Sequence, residues 1–251
     1  MEGSQLASLL LGLLSGGFFA LVGWTIHRRP VSSEVVAARD AFVLWWVLLG
    51  VLSVLGVALN VAVVLGLRDL ALLTTLLLAL LLLLCAAFWS LLCYLLYLYL
   101  NTNRLRWILA VAYTILFFGL AYFVLYQQPI GVEETRWGFK FDYAREPSGP
   151  AALVAGLLFL VPVLLGAAGY LSLYRKVDNP VLRRRILIVG CSILVWFGSS
   201  LPATSDRDLG ENETWQLASR LIGLAATAAI YYAYVGLKPK TETPAMPRHN
   251  P

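Results

Sequence analysis

Seven times along this chain, a run of about twenty or more nearly unbroken apolar residues gives way to a short polar stretch. The runs are Leu6–Ile26, Phe42–Leu67, Ala71–Leu100, Leu105–Tyr126, Ala151–Tyr174, Val181–Pro202 and Trp215–Leu237. A hydrocarbon core of about 30 Å needs around 20 residues of helix to cross it, and inside it every backbone N–H and C=O must bond within the chain. Helices meet that demand locally; barrel strands would be shorter and would alternate in polarity. The pattern predicts an all-α integral membrane protein, a seven-transmembrane helix bundle over residues 1–237. The first run reads as a retained helix rather than a secretory leader, because Met1–Gln5 carries no basic residue and the run outlasts an ordinary leader core. Residues 238–251 hold four prolines and no apolar period, and are expected to form a disordered cytoplasmic tail.

Between the fourth and fifth runs the period changes. Trp137, Phe139, Phe141 and Tyr143 alternate with Gly138, Lys140 and Asp142, the two-residue repeat of a half-buried strand. With Ile130–Glu134 as its partner it predicts a short β-hairpin at the outer mouth of the bundle, either a lid over a pocket or a segment lying in the membrane interface. Asn179 and Pro180 read as the cap and first residue of the sixth helix, and Pro162 predicts a kink in the fifth. Gly12 and Gly16, with Gly17 and Gly23 beyond, have the spacing that admits a close neighbouring helix, and packing within the bundle is the expected use. Phe88, Trp89, Tyr94, Tyr97 and Tyr99 near the end of the third run suit an aromatic belt at the headgroups.

Composition agrees with hydrocarbon as the solvent. Hydrophobic residues make up 60% of the chain, charged residues 13%, and mean hydropathy is +0.77, against roughly 25% charged in a soluble domain. The net charge of +5 is unevenly placed. Lysines and arginines in or bordering the loops after runs one, three and five and in the tail number 13; those in the loops after runs two, four and six number 5. The positive-inside rule then puts the N-terminus outside, the C-terminus in the cytoplasm and the protein in the cell membrane. Membrane lipids are the expected partners, with Arg183–Arg185 touching anionic headgroups. Nucleic-acid binding is excluded, because no soluble basic domain exists to carry it.

Within the runs there is no lysine, histidine, aspartate or glutamate. A retinal Schiff base needs a lysine in the last helix, and the four lysines all lie in loops or tail. Proton relays need carboxylates or histidines at mid-depth. Metal hydrolysis and bis-histidine haem need imidazoles, and only His27 and His249 exist. Cys85, Cys93 and Cys191 fall inside runs and suggest no disulfide framework. No cofactor, no metal and no catalytic constellation is expected. Away from the ends of the runs the one charged side chain is Arg220, about 10 Å into the last helix. It either snorkels outward or pairs with Asp206, Asp208 or Glu211, or it binds an anion or carboxylate. Asn60, Ser90, Tyr113, Thr114, Ser199, Ser200, Thr227 and Tyr231 are polar groups expected to bond mostly to neighbouring helices.

Phe88-Trp89 followed by Tyr94 and Tyr97, Trp137-Gly138 in the outer loop, and Tyr174-Arg175-Lys176 with Arg183-Arg184-Arg185 complete a layout that resembles the seven-helix sensor regions of some prokaryotic histidine kinases. It is also distantly similar to a rhodopsin bundle without its pigment lysine. The resemblance implies a noncatalytic sensor or receptor for a small apolar or weakly anionic ligand, or a lipid. With no kinase after Leu237, it would signal through a separate cytoplasmic partner. Arg220, Trp196, Ser199 and Tyr113 are the expected ligand-binding residues. A structural or accessory subunit of a membrane complex, packing through leucine faces and glycine seams, is the alternative. A facilitator or channel is a third, weakened by the absence of a polar stripe.

Overall fold

The computed structural model describes residues 3–31, 33–99, 103–127, 129–135, 138–145, 149–205 and 213–237. Among them the chain winds into long helices: α1 (Gly3–His27), α2 (Val36–Val64) after a single 3-10 turn, α3 (Leu70–Tyr99) and α4 (Asn103–Tyr126). A two-stranded antiparallel sheet, β1 (Pro129–Thr135) and β2 (Gly138–Tyr143), follows. The next rod is composite, with α5 (Gly149–Ala155), a π-helical turn at Gly156–Leu160 and α6 (Val161–Tyr174) in succession. The chain ends in α7 (Pro180–Ser205) and α8 (Glu213–Val235). The tail expected at 238–251 lies outside the described residues.

Five of these rods, α1 to α4 and the composite one, are long and apolar enough to cross a membrane. That is the make-up of a multi-pass membrane protein, and it corrects the expectation of seven such spans. Among the described residues α7 and α8 fall short of the standard. α8 falls short through polar content, carrying Ser219, Arg220, Thr227 and three tyrosines, and the part of α7 whose side chains are described opens on Arg183–Arg185.

The helices close into a ring. α1 packs on α2 and α8, α2 on α3, α3 on α6, α6 on α7 and α7 on α8. α4 stands outside this ring against α3, α5 and the π turn. Its outward residues, Ile108, Val111, Ile115, Phe118 and Tyr122, are all more than half exposed, as a surface meant for lipid would be. The core inside the ring is built from Val22, Trp45, Trp46, Leu49, Phe88, Leu91, Leu158 and Ile193.

The glycine seam is internal. A Cβ on Gly16 would sit 3.3 Å from the Gly50 carbonyl oxygen, and one on Gly50 would sit 3.2 Å from that of Gly16. Gly12 and Gly23 likewise abut Val57 and Trp46 of α2. The aromatic belt expected on α3 is mostly turned inward. Phe88 is buried, Tyr94 stacks on Phe42 with ring centres 4.6 Å apart, and Trp89 meets Tyr113 at 5.4 Å. Among those whose side chains are described, Tyr97 alone stays exposed, beneath the Arg106 guanidinium, and the Tyr99 side chain lies outside the described residues.

The hairpin forms in the register Val132↔Phe141 and Glu134↔Phe139. Its apolar face, Val132, Phe139 and Phe141, rests on Leu59, Val63 and Leu73 where α2 turns into α3. That turn is closed by Gly66 at φ 102°, with Leu67 N–H bonding to Ala62 O at 2.9 Å and Gly66 N–H to Val63 O at 3.0 Å. Arg68 ties the two loops together through an ion pair with Glu134. Asn179 caps α7 as expected, accepting from Val181 N–H at 3.0 Å.

Candidate functional site: a polar cavity between α1, α2, α7 and α8

Four helices leave between them a cavity of about 300 Å³. α1 contributes Ser8, Gly12, Ser15 and Phe19, and α2 contributes Ser53, Gly56, Val57 and Asn60. Trp196 comes from α7, and Ser219, Arg220 and Gly223 from α8. Small side chains open the space: a Cβ on Gly223 would meet the Trp196 ring at 3.4 Å, and one on Gly12 would strike Val57 at 2.6 Å. Phe19 and Trp196 meet edge to face at 5.7 Å, and behind Phe19 lies Trp46, also at 5.7 Å.

Arg220 is the single charge in the lining. No carboxylate among the described residues pairs with it. The acids considered as its partners, Asp206, Asp208 and Glu211, lie outside the described residues. A guanidinium within an apolar bundle costs at least about 2.5–3.5 kcal/mol at mid-depth when nothing compensates it. The cavity is where compensation can come from.

The four residues expected to bind ligand are not all brought together. Arg220 and Trp196 line the cavity. Ser199 is buried one turn further along α7, its hydroxyl donating to Trp196 O at 2.8 Å. Tyr113 sits on α4, outside the ring, and donates to Leu158 O at 2.7 Å. Leu158 lies in the π turn just before Pro162, where Val161 N–H bonds to Gly156 O five residues back and Pro162 has no amide to give, and the tyrosine supplies a donor to the backbone there. The other polar candidates mostly bond to their own helix rather than to a neighbour: Ser90 to Ala86 O, Thr114 to Ala110 O and Thr227 to Gly223 O. In an apolar interior that is the nearest acceptor a short hydroxyl can reach.

Sequence reasoning missed most of the wall. Ser8, Gly12, Ser15 and Phe19 follow one helical face at intervals of four, three and four. That stripe of small and polar residues was the available signal, since a leucine at any of these positions would have filled the space.

A second constellation occupies the opposite end of the same helices. Arg29, just past α1, donates to Tyr234 O, and Arg185 of α7 donates through Nε to Ala233 O at 2.8 Å and through Nη2 to Leu237 O. The Ala233 and Tyr234 carbonyls belong to the last turn of α8, which a helix leaves without intrahelical donors, and Leu237 lies just past it. The cations also suit the negative end of its dipole. Tyr234 lies beneath both guanidiniums and shares a hydrogen bond with Tyr170 at 3.1 Å between hydroxyl oxygens. α1, α7 and α8 therefore each supply one part of the cavity and one part of this clamp.

Comparison with known proteins adds no relative: no family model matches the sequence, and no curated protein or solved structure matches the chain.

Proposed function

We propose that the chain is a noncatalytic, multi-pass helical sensor or receptor of the cell membrane, with its N-terminus outside. It takes a small weakly anionic ligand, or the head of a lipid, into the cavity beside Arg220 and signals through a separate cytoplasmic partner. The observation that carries the reading is an arginine with no carboxylate partner among the described residues, facing a cavity of about 300 Å³ inside an otherwise apolar ring. A ligand that neutralises the guanidinium recovers electrostatic energy that the empty ring withholds.

Two further features support it. Serines, an asparagine and glycines share the wall with Leu9, Leu11 and Val57 and with the two aromatics, and these small and polar residues keep volume and polarity available inside the bundle. The three helices that also form the arginine clamp run from the cavity to the arginine-rich end, which the positive-inside rule assigns to the cytoplasm. A change at one end of α8 is thus mechanically continuous with the other, about 21 Å from Arg220 to Tyr234 at 1.5 Å per residue.

Native mass spectrometry of the full chain, purified from its membranes in mild detergent, tests the reading. A bound small molecule or lipid is expected on the unaltered protein and is lost from a folded Arg220→Ala variant. Retention of the same molecule by Arg220→Ala, or a clean apo mass on the unaltered chain, speaks against the site.

A further inference from the structure

The polar groups of the cavity differ in what they have left to offer. Ser53 donates its one hydroxyl hydrogen to Leu49 O at 2.9 Å, and Ser219 donates its own to Gln216 O at 3.0 Å. Asn60 commits one amide hydrogen to Gly56 O at 2.9 Å. A hydroxyl carries a single hydrogen, so the serine lone pairs are what remain to face a ligand, together with the Asn60 carbonyl oxygen. Arg220 is the reverse case: five N–H donors and no acceptor. Arg220 therefore donates with a positive charge, and facing it Ser53, Ser219 and Asn60 have neutral oxygens with which to accept, Asn60 also keeping its second amide hydrogen.

Resting on the reading of this cavity as a ligand site, we infer that the ligand is a small carboxylate with a hydroxyl or ammonium group on the adjacent carbon, the chemistry shared by α-hydroxy and α-amino acids. The carboxylate pairs with Arg220, whose planar fork matches two carboxylate oxygens. The neighbouring donor is received by the free oxygens of Ser53, Asn60 or Ser219. A plain cation has no carboxylate in the lining to receive it. A purely apolar molecule leaves the guanidinium desolvated and the oxygens without donors, and buried groups in that condition are penalised. The volume lies at the small end of ligand sites, which run from about 300 to 1,000 Å³. Phe19 and Trp196 give a substituent on the α-carbon an aromatic wall to lie against.

The test uses the full chain in detergent micelles, with thermal unfolding followed at constant ionic strength during titration with acetate, glycolate and glycine. Glycolate or glycine is expected to half-saturate at a concentration about five- to tenfold below that of acetate, the worth of one added hydrogen bond. Arg220→Gln, checked for native secondary structure by circular dichroism, abolishes all three responses. The double variant S53A/S219A keeps the acetate response and narrows the gap to glycolate or glycine. The assignment is overturned if acetate matches both of the others, if the responses persist in Arg220→Gln, or if none of the three stabilises the protein. A lipid or apolar molecule found on the purified protein would then leave the ligand-site reading standing with a different ligand class, whereas an apo mass would remove both.

Discussion

At the scale of single residues, two side chains expected to do the same thing do different ones. Arg220 and Tyr113 both stand out in the sequence as polar groups in apolar runs and are both expected to bind ligand. Arg220 faces space, while Tyr113 supports the backbone of another helix by donating to the Leu158 carbonyl in the π turn that precedes Pro162. The difference is one of demand. A proline inside a membrane helix creates an orphan acceptor that lipid cannot satisfy. Tyr113→Phe is therefore expected to destabilise the protein by about 1–3 kcal/mol, the penalty of an unsatisfied buried carbonyl. A Pro162→Ala change restores an amide beside this turn, and in that background the same tyrosine change is expected to matter less. A double-mutant cycle read by unfolding in mixed micelles measures this coupling, and additive effects would show that the two residues act separately.

At the scale of elements, α1 and α2 are held together by absence of side chain. Gly16 and Gly50 let the backbones approach until each glycine's missing Cβ would lie within about 3.3 Å of the other's carbonyl oxygen, and backbone cannot swing aside as a long side chain can. Gly17, its neighbour in sequence, has nothing within 4 Å of the corresponding position. Gly16→Val is expected to cost about 1–3 kcal/mol by forcing the helices apart. Gly17→Val should stay within about 0.5 kcal/mol of the unaltered protein. Unfolding midpoints of the two variants decide it, and equal effects would mean that helix propensity rather than the seam is being measured. This seam was legible in the sequence, as were the β-hairpin and the Asn179 cap, because each depends on local spacing or a specific turn chemistry. The inward rotation of Phe88 and Tyr94 was not. α3 is apolar on every face, so no hydrophobic period marks which side meets protein and which meets lipid. For the same reason the cavity was only half visible: Arg220 advertises itself by charge, whereas Ser8, Ser15 and Ser53 are unremarkable in membrane helices until the ring brings them opposite it. Asp69 was likewise passed over, though its carboxylate caps α3 by accepting from Ala71 N–H at 3.0 Å.

At the scale of the whole molecule, the arginines carry a meaning that loop counting does not reach. Arg29 and Arg185 belong to the basic clusters that set the expected orientation, and both are spent on carbonyls at the C-terminal end of α8. Arg28 and Arg183 instead lie over Trp24 and Tyr174. One pair thus fixes how α8 leaves the ring, while the other pair lies over aromatics at the ends of α1 and α6. Because α8 is also the helix that holds Arg220 to the cavity, a rigid-helix view makes the clamp sensitive to what happens there. Coupling of this kind requires two arrangements of α8 with different cavity contacts, and not merely a helix lying between two places. Hydrogen exchange distinguishes the cases without any ligand. If α8 moves as a unit, Arg220→Gln should speed exchange of the amides at 233–237 at least as much as Arg185→Gln does, while amides at the distant α2–α3 turn stay unchanged. If the Arg220→Gln effect instead stops within two turns of the cavity, the clamp is only a helix cap, and any signal from the cavity must leave by α1 or α7.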